Sequence, residues 1–233
     1  MNMSKNMEIP NHIGFILDGN RRWAKSRNML AKEGHRKGYQ NLKTIGLDCL
    51  DRGVEYVSAY VFSNENWRRK ESEVSYLMDL VLWVAKNELD VLHDKGVKLK
   101  VLGSRENLSK KVINAIEDAE EKTKNNKNGT FALCFNYGGE QEIVDATRKL
   151  IATGIKAKDV TRESFEKCLY ASEVPPIDLL IRTSGEKRLS GFMLYRSSYA
   201  ELYFVDKNWP DFNEDDLSAA IDDFSSRLRR FGS

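Results

Sequence analysis

Strand-like and helix-like segments alternate from one end of this chain to the other, and that order constrains the fold more than any other feature. His12 to Leu17 is a short apolar run that stops at Asp18-Gly19-Asn20, a turn signal, and helical composition follows. Tyr39 to Asp51 reads as a helix stopped by Gly53, and Glu55 to Phe62 as a β-branched and aromatic strand. A long helix is expected from Glu73 to Asp94, because Leu77, Leu80, Val81, Val84 and Val91 recur at helical spacing. Strands over Val97 to Leu102 and Thr130 to Asn136 then alternate with helices from Ser109 to Lys124 and Glu140 to Ala152. A short helix opened by Thr161, strands over Ile177 to Arg182 and Glu201 to Val205, and a charged amphipathic helix over Glu214 to Arg230 complete the series. Alternation of this kind predicts βαβ crossovers and an α/β fold, with a central, mostly parallel sheet of about six strands flanked by helices. No Gly, Pro or Ser-rich linker and no internal repeat interrupts it, so a single domain over residues 1–233 is expected.

Composition removes competing classes. With 41% hydrophobic residues, 15 Gly and 4 Pro in 233 residues, the chain is neither disordered nor collagen-like. Its apolar runs fall short of the ~18 residues of a membrane span. The N-terminus MNMSKNMEIP lacks the apolar stretch of a secretory signal, so the expected location is the cytoplasm. Cys49, Cys134 and Cys168 sit far apart in largely apolar stretches, without a CxxC or CxxH pair, as buried reduced thiols do. The net charge of +2 conceals a segregation. Asp18 to Lys37 carries seven basic and two acidic residues, a balance of +5, while Asp206 to Asp223 carries seven acidic and one basic, a balance of −6.

In an open parallel sheet, ligands bind beyond the C-terminal ends of the strands, so the loops that follow strands carry the functional information. The first, Asp18-Gly19-Asn20-Arg21-Arg22-Trp23, joins a carboxylate and two guanidinium groups to a helix start, which suits a phosphate. The carboxylate fits beside a phosphate if Mg²⁺ bridges them. Read alone, the loop is equally an Asx-type turn with solvated arginines. Gly14 and Gly19 have P-loop spacing, but Asn20-Arg21 replaces the Lys-Ser/Thr that nucleotide binding needs. His35, at the opening of the next helix, suits either a structural role or contact with a phosphate. The loop Ser63-Asn64-Glu65-Asn66-Trp67-Arg68-Arg69 adds amides, an aromatic face and cations. Arg182 to Ser190 adds three more basic groups among hydroxyls, a second anion cradle. Two anion sites beside one carboxylate imply two phosphorylated substrates or one diphosphate. Single-stranded RNA is the competing ligand class, since Arg with interleaved aromatics is its footprint. The acidic C-terminal segment argues against it, and no nucleic-acid partner is expected.

These residues resemble the cis-prenyltransferases, and among them the undecaprenyl diphosphate synthases of bacteria. The resemblance rests on the segments His12 to Ala24, Gly34-His35, Phe62 to Trp67, Ile181 to Glu186, Tyr199 to Phe204 and Trp209 to Phe212. They are collinear with the family pattern from His12 to Gly232, and the DDxxD motifs of trans-type synthases are absent. The resemblance implies Mg²⁺-dependent sequential condensation of isopentenyl diphosphate onto farnesyl diphosphate. The product it implies is undecaprenyl diphosphate, precursor of the lipid carrier for cell-wall polysaccharides. It further implies a hydrophobic product tunnel, a homodimer and loose peripheral contact with a membrane as product leaves.

By the same resemblance, Asp18 handles Mg²⁺ on the diphosphate and helps the allylic leaving group depart. Gly19, Asn20, Arg21, Arg22 and His35 hold the allylic diphosphate, with Trp23 beside it. Arg182, Arg188, Leu189 and Ser190 hold the diphosphate of isopentenyl diphosphate. Asn66 serves the proton-removal step, and Ser63, Glu65, Trp67, Arg69 and Glu73 order the substrates and the loop over them. Glu201 is a second Mg²⁺ carboxylate near the dimer interface, and Arg230-Phe231-Gly232 reaches the partner's site. The sequence departs from the pattern at Arg21, where many members have Gly, and at Ala31, where some carry an Arg whose place Lys32 could take. A non-catalytic partner subunit of such an enzyme is expected to lose the Asp18 and Arg182 clusters, and both are present.

Overall fold

The computed structural model describes residues 8–227. Its first half comprises β1 (His12–Ile16), α1 (Asn20–Lys25), α2 (Ala31–Asp51), β2 (Tyr56–Ser63), α3 (Glu71–Asn87), α4 (Leu89–Asp94), β3 (Lys98–Leu102) and α5 (Lys110–Thr123). The second comprises β4 (Thr130–Tyr137), α6 (Gly139–Ala152), α7 (Arg162–Glu166), β5 (Leu179–Arg182), β6 (Glu201–Phe204) and α8 (Glu214–Ser226). The six strands form one sheet in the order β3-β4-β2-β1-β5-β6, and every neighbouring pair is parallel. The chain runs from β1 to one side through β2, β3 and β4, then crosses to the other side at β5. The strand order therefore reverses between β1 and β5, where an open parallel sheet leaves a crevice at its C-terminal edge.

Alternate residues of each strand enter different layers, as a pleated strand buried on both faces requires. Ile13, Phe15, Val57, Ala59, Leu179 and Ile181 pack with Leu42, Ile45 and Cys49 of α2 and with Leu217, Ile221 and Phe224 of α8. Leu180, Ala132 and Cys134 share the opposite layer with Phe192 and Met193. Phe62 and Phe135 meet Val74 and Leu77 of α3 and Val112 and Ile116 of α5. Each large side chain so buried stabilises the fold by about 1.5–3 kcal/mol relative to exposure. All three cysteines are free and buried, as expected, and burial pushes the Cys49 thiol well above its usual range. Among the described residues no helix is long and apolar enough to cross a membrane.

Three elements differ from expectation. The helix expected to open at His35 and run through Tyr39 to Asp51 begins at Ala31; Gly34 and Gly38, ordinarily helix-weakening, lie inside it and let it approach the Asn20 loop. The long helix expected over Glu73 to Asp94 is two helices, broken at Glu88 (φ −119°, ψ −11°). The break shifts the helical phase, so Leu92 is buried and Val91, expected in the apolar stripe, is exposed. The last helix ends at Ser226, before the expected Arg230.

Candidate active site

The crevice between β1 and β5 is closed by one ion pair. Asp18 leaves β1 two residues past its end, Arg182 is the last residue of β5, and Arg182 Nη2 donates to Asp18 Oδ2 at 2.9 Å. Arg22, one turn on, faces the other oxygen at 3.2 Å. Burial works against a charged Asp18, but hydrogen bonds and charge from Arg182 and Arg22 outweigh it and hold the carboxyl below the usual range. The Asp18 backbone is fixed as well: its carbonyl accepts from Thr183 Oγ1 at 2.7 Å and from the Trp209 amide at 2.9 Å. Gly19 follows with φ +103°, and a Cβ there would lie 2.3 Å from Asn208 Oδ1, so only glycine serves at this turn.

Around the pair, cations and polar atoms are arranged without a full set of partners. Arg182 Nη1 donates to Ser190 Oγ at 2.9 Å and to the Arg188 carbonyl, which ties the second anion cradle to the first. Arg22 reaches the Ser184 carbonyl at 3.0 Å and Glu186 at 3.3 Å, while Arg188 pairs with Glu186. Two buried atoms of this crevice, Asn20 Oδ1 and Arg182 Nε, have no hydrogen-bond partner among the described residues. Buried polar atoms ordinarily find one, so the crevice is arranged for a ligand. The helix behind it, α1, has only six residues, so an anion in the crevice would meet guanidinium groups and the amides ahead of Trp23, not a long helix dipole.

A second cluster spans the mouth from α1 and α2 to α3. Glu73 accepts from His35 Nε2 at 3.1 Å and from Arg69 at 2.9 Å, with Arg21 3.8 Å away. Burial lowers the His35 pKa against the pull of Glu73, so the neutral ring donates a hydrogen bond to the carboxylate and no ion pair forms at pH 7. Burial of Glu73 is in turn outweighed by His35, Arg69 and Arg21, which keep it ionised. Between these clusters lies a cavity of about 1000 Å³. Asp18, His35, Glu65, Asn66 and Arg182 are at its mouth, and Leu77, Leu80, Val81 and Val84 wall its depth. One end can hold an anion and the other a hydrocarbon.

The expected site residues divide accordingly. Asp18, Asn20, His35, Ser63, Glu65, Asn66, Arg69, Arg182 and Ser190 line the cavity, and Arg21, Arg22, Glu73 and Arg188 join them through the pairs described. Asn66 has a local task too, since its Oδ1 accepts from the Ser63 amide at 3.2 Å and closes the turn after β2. Leu189 packs into the Phe192 layer. The two tryptophans turn away: Trp67 donates to Asn136 at 2.7 Å and packs on Phe62, and buried Trp23 donates to Asp211 at 2.6 Å. Glu201 stands in register with Leu179 and Ile13, two strands across from β1 and about 16 Å from the level of Asp18 along the strand direction at the usual strand rise, and pairs with Arg227 at 2.7 Å. The two carboxylates expected at a metal are thus apart within one chain. Asp18 alone fits Mg²⁺, which takes one or two carboxylates with substrate phosphate oxygens. Lys32 is exposed in the first turn of α2, and Arg230-Phe231-Gly232 lies outside the described residues. Sequence reasoning gave no packing role to Gly34 and Gly38 and missed Asn208, although two glycines four apart on one helix face were a signal of close packing.

Comparison with known proteins agrees with this geometry. Residues 16–232 match the prenyltransferase family model described as "Putative undecaprenyl diphosphate synthase". The isoprenyl transferase of Rickettsia typhi is 44% identical over 221 residues, 95% of this chain and 97% of its own. That of Thermotoga maritima is 43% identical over 228 residues, 97% and 98% of the two chains. Among solved structures, lavandulyl diphosphate synthase from Lavandula x intermedia, in complex with dimethylallyl diphosphate, superposes with a TM-score of 0.92 at 34% identity over 97% of this chain and 99% of that one. A probable undecaprenyl diphosphate synthase from Campylobacter jejuni superposes at 0.82 and 27% identity, over 97% and 100%. With a crevice lined by Asp18, Arg22 and Arg182 opening on an apolar cavity, and with relatives alike over nearly their whole length, this chain belongs to the undecaprenyl diphosphate synthase family of isoprenyl transferases and is a cis-prenyltransferase.

Proposed function

We propose that the protein condenses isopentenyl diphosphate repeatedly onto farnesyl diphosphate and makes undecaprenyl diphosphate for the lipid carrier of cell-wall polysaccharide synthesis. The observation that carries this reading is the Asp18 carboxylate between Arg22 and Arg182 at the mouth of a deep apolar cavity. In each cycle the allylic C–O bond breaks, diphosphate leaves, a C–C bond forms to isopentenyl diphosphate and a proton departs as the cis double bond is made. Arg22, Arg21, His35 and the amides of the Asp18 loop would hold the leaving diphosphate, while Arg182, Arg188 and Ser190 would hold that of isopentenyl diphosphate. Such fixed donors stabilise charge best where it develops, because they need no reorganisation during reaction. Mg²⁺ bound to the diphosphate would neutralise further charge, with Asp18 as its protein ligand. Asn66 would orient the group that loses the proton, and the Leu and Val wall of α3 would keep the growing chain dry.

A homodimer at the exposed edge strand β6, which bears Leu202 at the sheet margin, and peripheral membrane contact during product release complete the proposal. Pure protein given farnesyl diphosphate, radiolabelled isopentenyl diphosphate and Mg²⁺ is expected to yield long polyprenyl products. Asp18→Asn is expected to lower kcat by about 10²–10³, the usual loss when one preorganised electrostatic group is removed. Absence of polyprenyl product from the unaltered protein at every Mg²⁺ concentration tried would sink the reading.

A further inference from the structure

The charged side chains lining the cavity cluster at its mouth, with one exception among the described residues: Lys43. It lies eight residues along α2 from His35, about 12 Å at the helical rise. Its Nζ is 2.5 Å from Oε2 of Glu88, which lies fifteen residues along the chain from Glu73, about 22 Å at the same rise. Both side chains are partly buried, at 30% and 18% exposure. Glu88 is also the residue at which α3 stops and α4 starts, its amide donating to Val84 and its carbonyl accepting from Leu92. Leu42, Val84, Ala85, Leu89 and Leu92 line the cavity near it, and Leu99 and Phe131 line it further in. An apolar wall is therefore interrupted at Lys43, whose partner Glu88 sits in the seam between α2 and the α3–α4 break.

A hydrocarbon entering from the mouth gains from contact with leucine and valine until it meets this pair. Beyond that point it must strip water from an ammonium and a carboxylate and offers neither a hydrogen bond in return. We propose that the Lys43–Glu88 pair determines product length, by making further extension unfavourable where the growing chain reaches Lys43. The proposal rests on the reading of the protein as a chain-elongating enzyme and adds to it the residues that set the stopping point.

Products made by the full-length protein from farnesyl diphosphate, radiolabelled isopentenyl diphosphate and Mg²⁺ are to be separated by chain length. In the double variant Lys43→Met/Glu88→Met, the most abundant product is expected to lengthen by one or more isoprene units, with KM for both substrates within about twofold of the unaltered protein. Lys43→Met alone leaves the helix break intact and is expected to shift the products in the same direction. The exchanged pair Lys43→Glu/Glu88→Lys is expected to restore the original lengths. A methionine series with unchanged product lengths overturns the proposal and leaves the elongating activity standing, and so does an exchanged pair that behaves like the methionine variants. An unaltered protein that makes no polyprenyl product overturns both.

Discussion

The two ends of β1 carry titratable groups that the fold treats in opposite ways. His12, at its start, is fully buried, with Nδ1 donating to the carbonyls of Pro175 (2.9 Å) and Pro176 (3.2 Å) and Nε2 accepting from Ser58 Oγ at 2.7 Å. Burial lowers its pKa to about 4, against the pull of the proline carbonyls. Between about pH 6.5 and 4 the unfolded chain therefore binds a proton that the folded chain refuses, so stability is full above this window and falls as pH drops through it. At pH 5 the loss from this group is about 2 kcal/mol. Asp18, just past the end of β1, has a lowered pKa, so its contribution is constant through that window and declines only below about pH 3.9. Urea unfolding at pH 7.5 and pH 5.0 separates the two. The protein is expected to lose stability on acidification, and His12→Asn, less stable at both values, to lose distinctly less between them. An equal loss in the variant contradicts the assignment.

The element most exposed to single changes is α2, because its register against the Asp18 loop depends on side chains that are absent. A Cβ on Gly34 would lie 2.2 Å from the Asn20 carbonyl oxygen, so Gly34→Ala must push the helix or the loop aside. Helix propensity favours the substitution by about 1 kcal/mol, and overpacking opposes it by about 1–3 kcal/mol. The expected net result is a lower Tm and, because Asn20 moves, a raised KM for an isoprenoid diphosphate substrate. A Tm that rises would show that the loop yields without cost. The same glycines explain what the sequence could and could not disclose. Strands and their alternation with helices were legible, since apolar runs bounded by turn residues need no knowledge of partners. The start of α2 at Ala31 was hidden because Gly34 and Gly38 weaken a helix until Asn20 is set against them. The break at Glu88 was hidden because the apolar spacing continues across it. The loops that hold Asp18, Arg22 and Arg182 were legible from their place after strands, whereas His35, inside α2, joins them only through Glu73, Arg69 and Arg21. That Trp23 and Trp67 bond Asp211 and Asn136, and that Glu201 stands far along the sheet from Asp18, was hidden, because side-chain direction and distance along the sheet are decided by tertiary packing.

Across the whole molecule, the segregated charge seen in the sequence becomes a clasp. The basic segment meets the acidic one where Arg27 holds both oxygens of Asp211 at 3.2 and 3.1 Å, stacks over Trp23 at 4.5 Å, and shares Asp211 with the indole N–H. Arg27 and Asp211 are 43% and 39% exposed, so their ion pair is screened and contributes little, while the indole of Trp23, 8% exposed, depends on its acceptor. Asp211→Ala is therefore expected to cost about 1–2 kcal/mol. Arg27→Ala is expected to cost less than 1 kcal/mol. Equilibrium denaturation of both variants decides this, and equal losses would place the energy in the ion pair. The Asp18–Arg182 pair reaches further, joining groups 164 residues apart. On a ribosome adding about 5–20 residues per second, Asp18 emerges roughly 8–30 s before its partner is made. Nascent chains, truncated messages and proteolytic fragments that lack β5 consequently hold only half of the anion crevice. Synthesis through β5 is thus a precondition for a crevice with both of its walls.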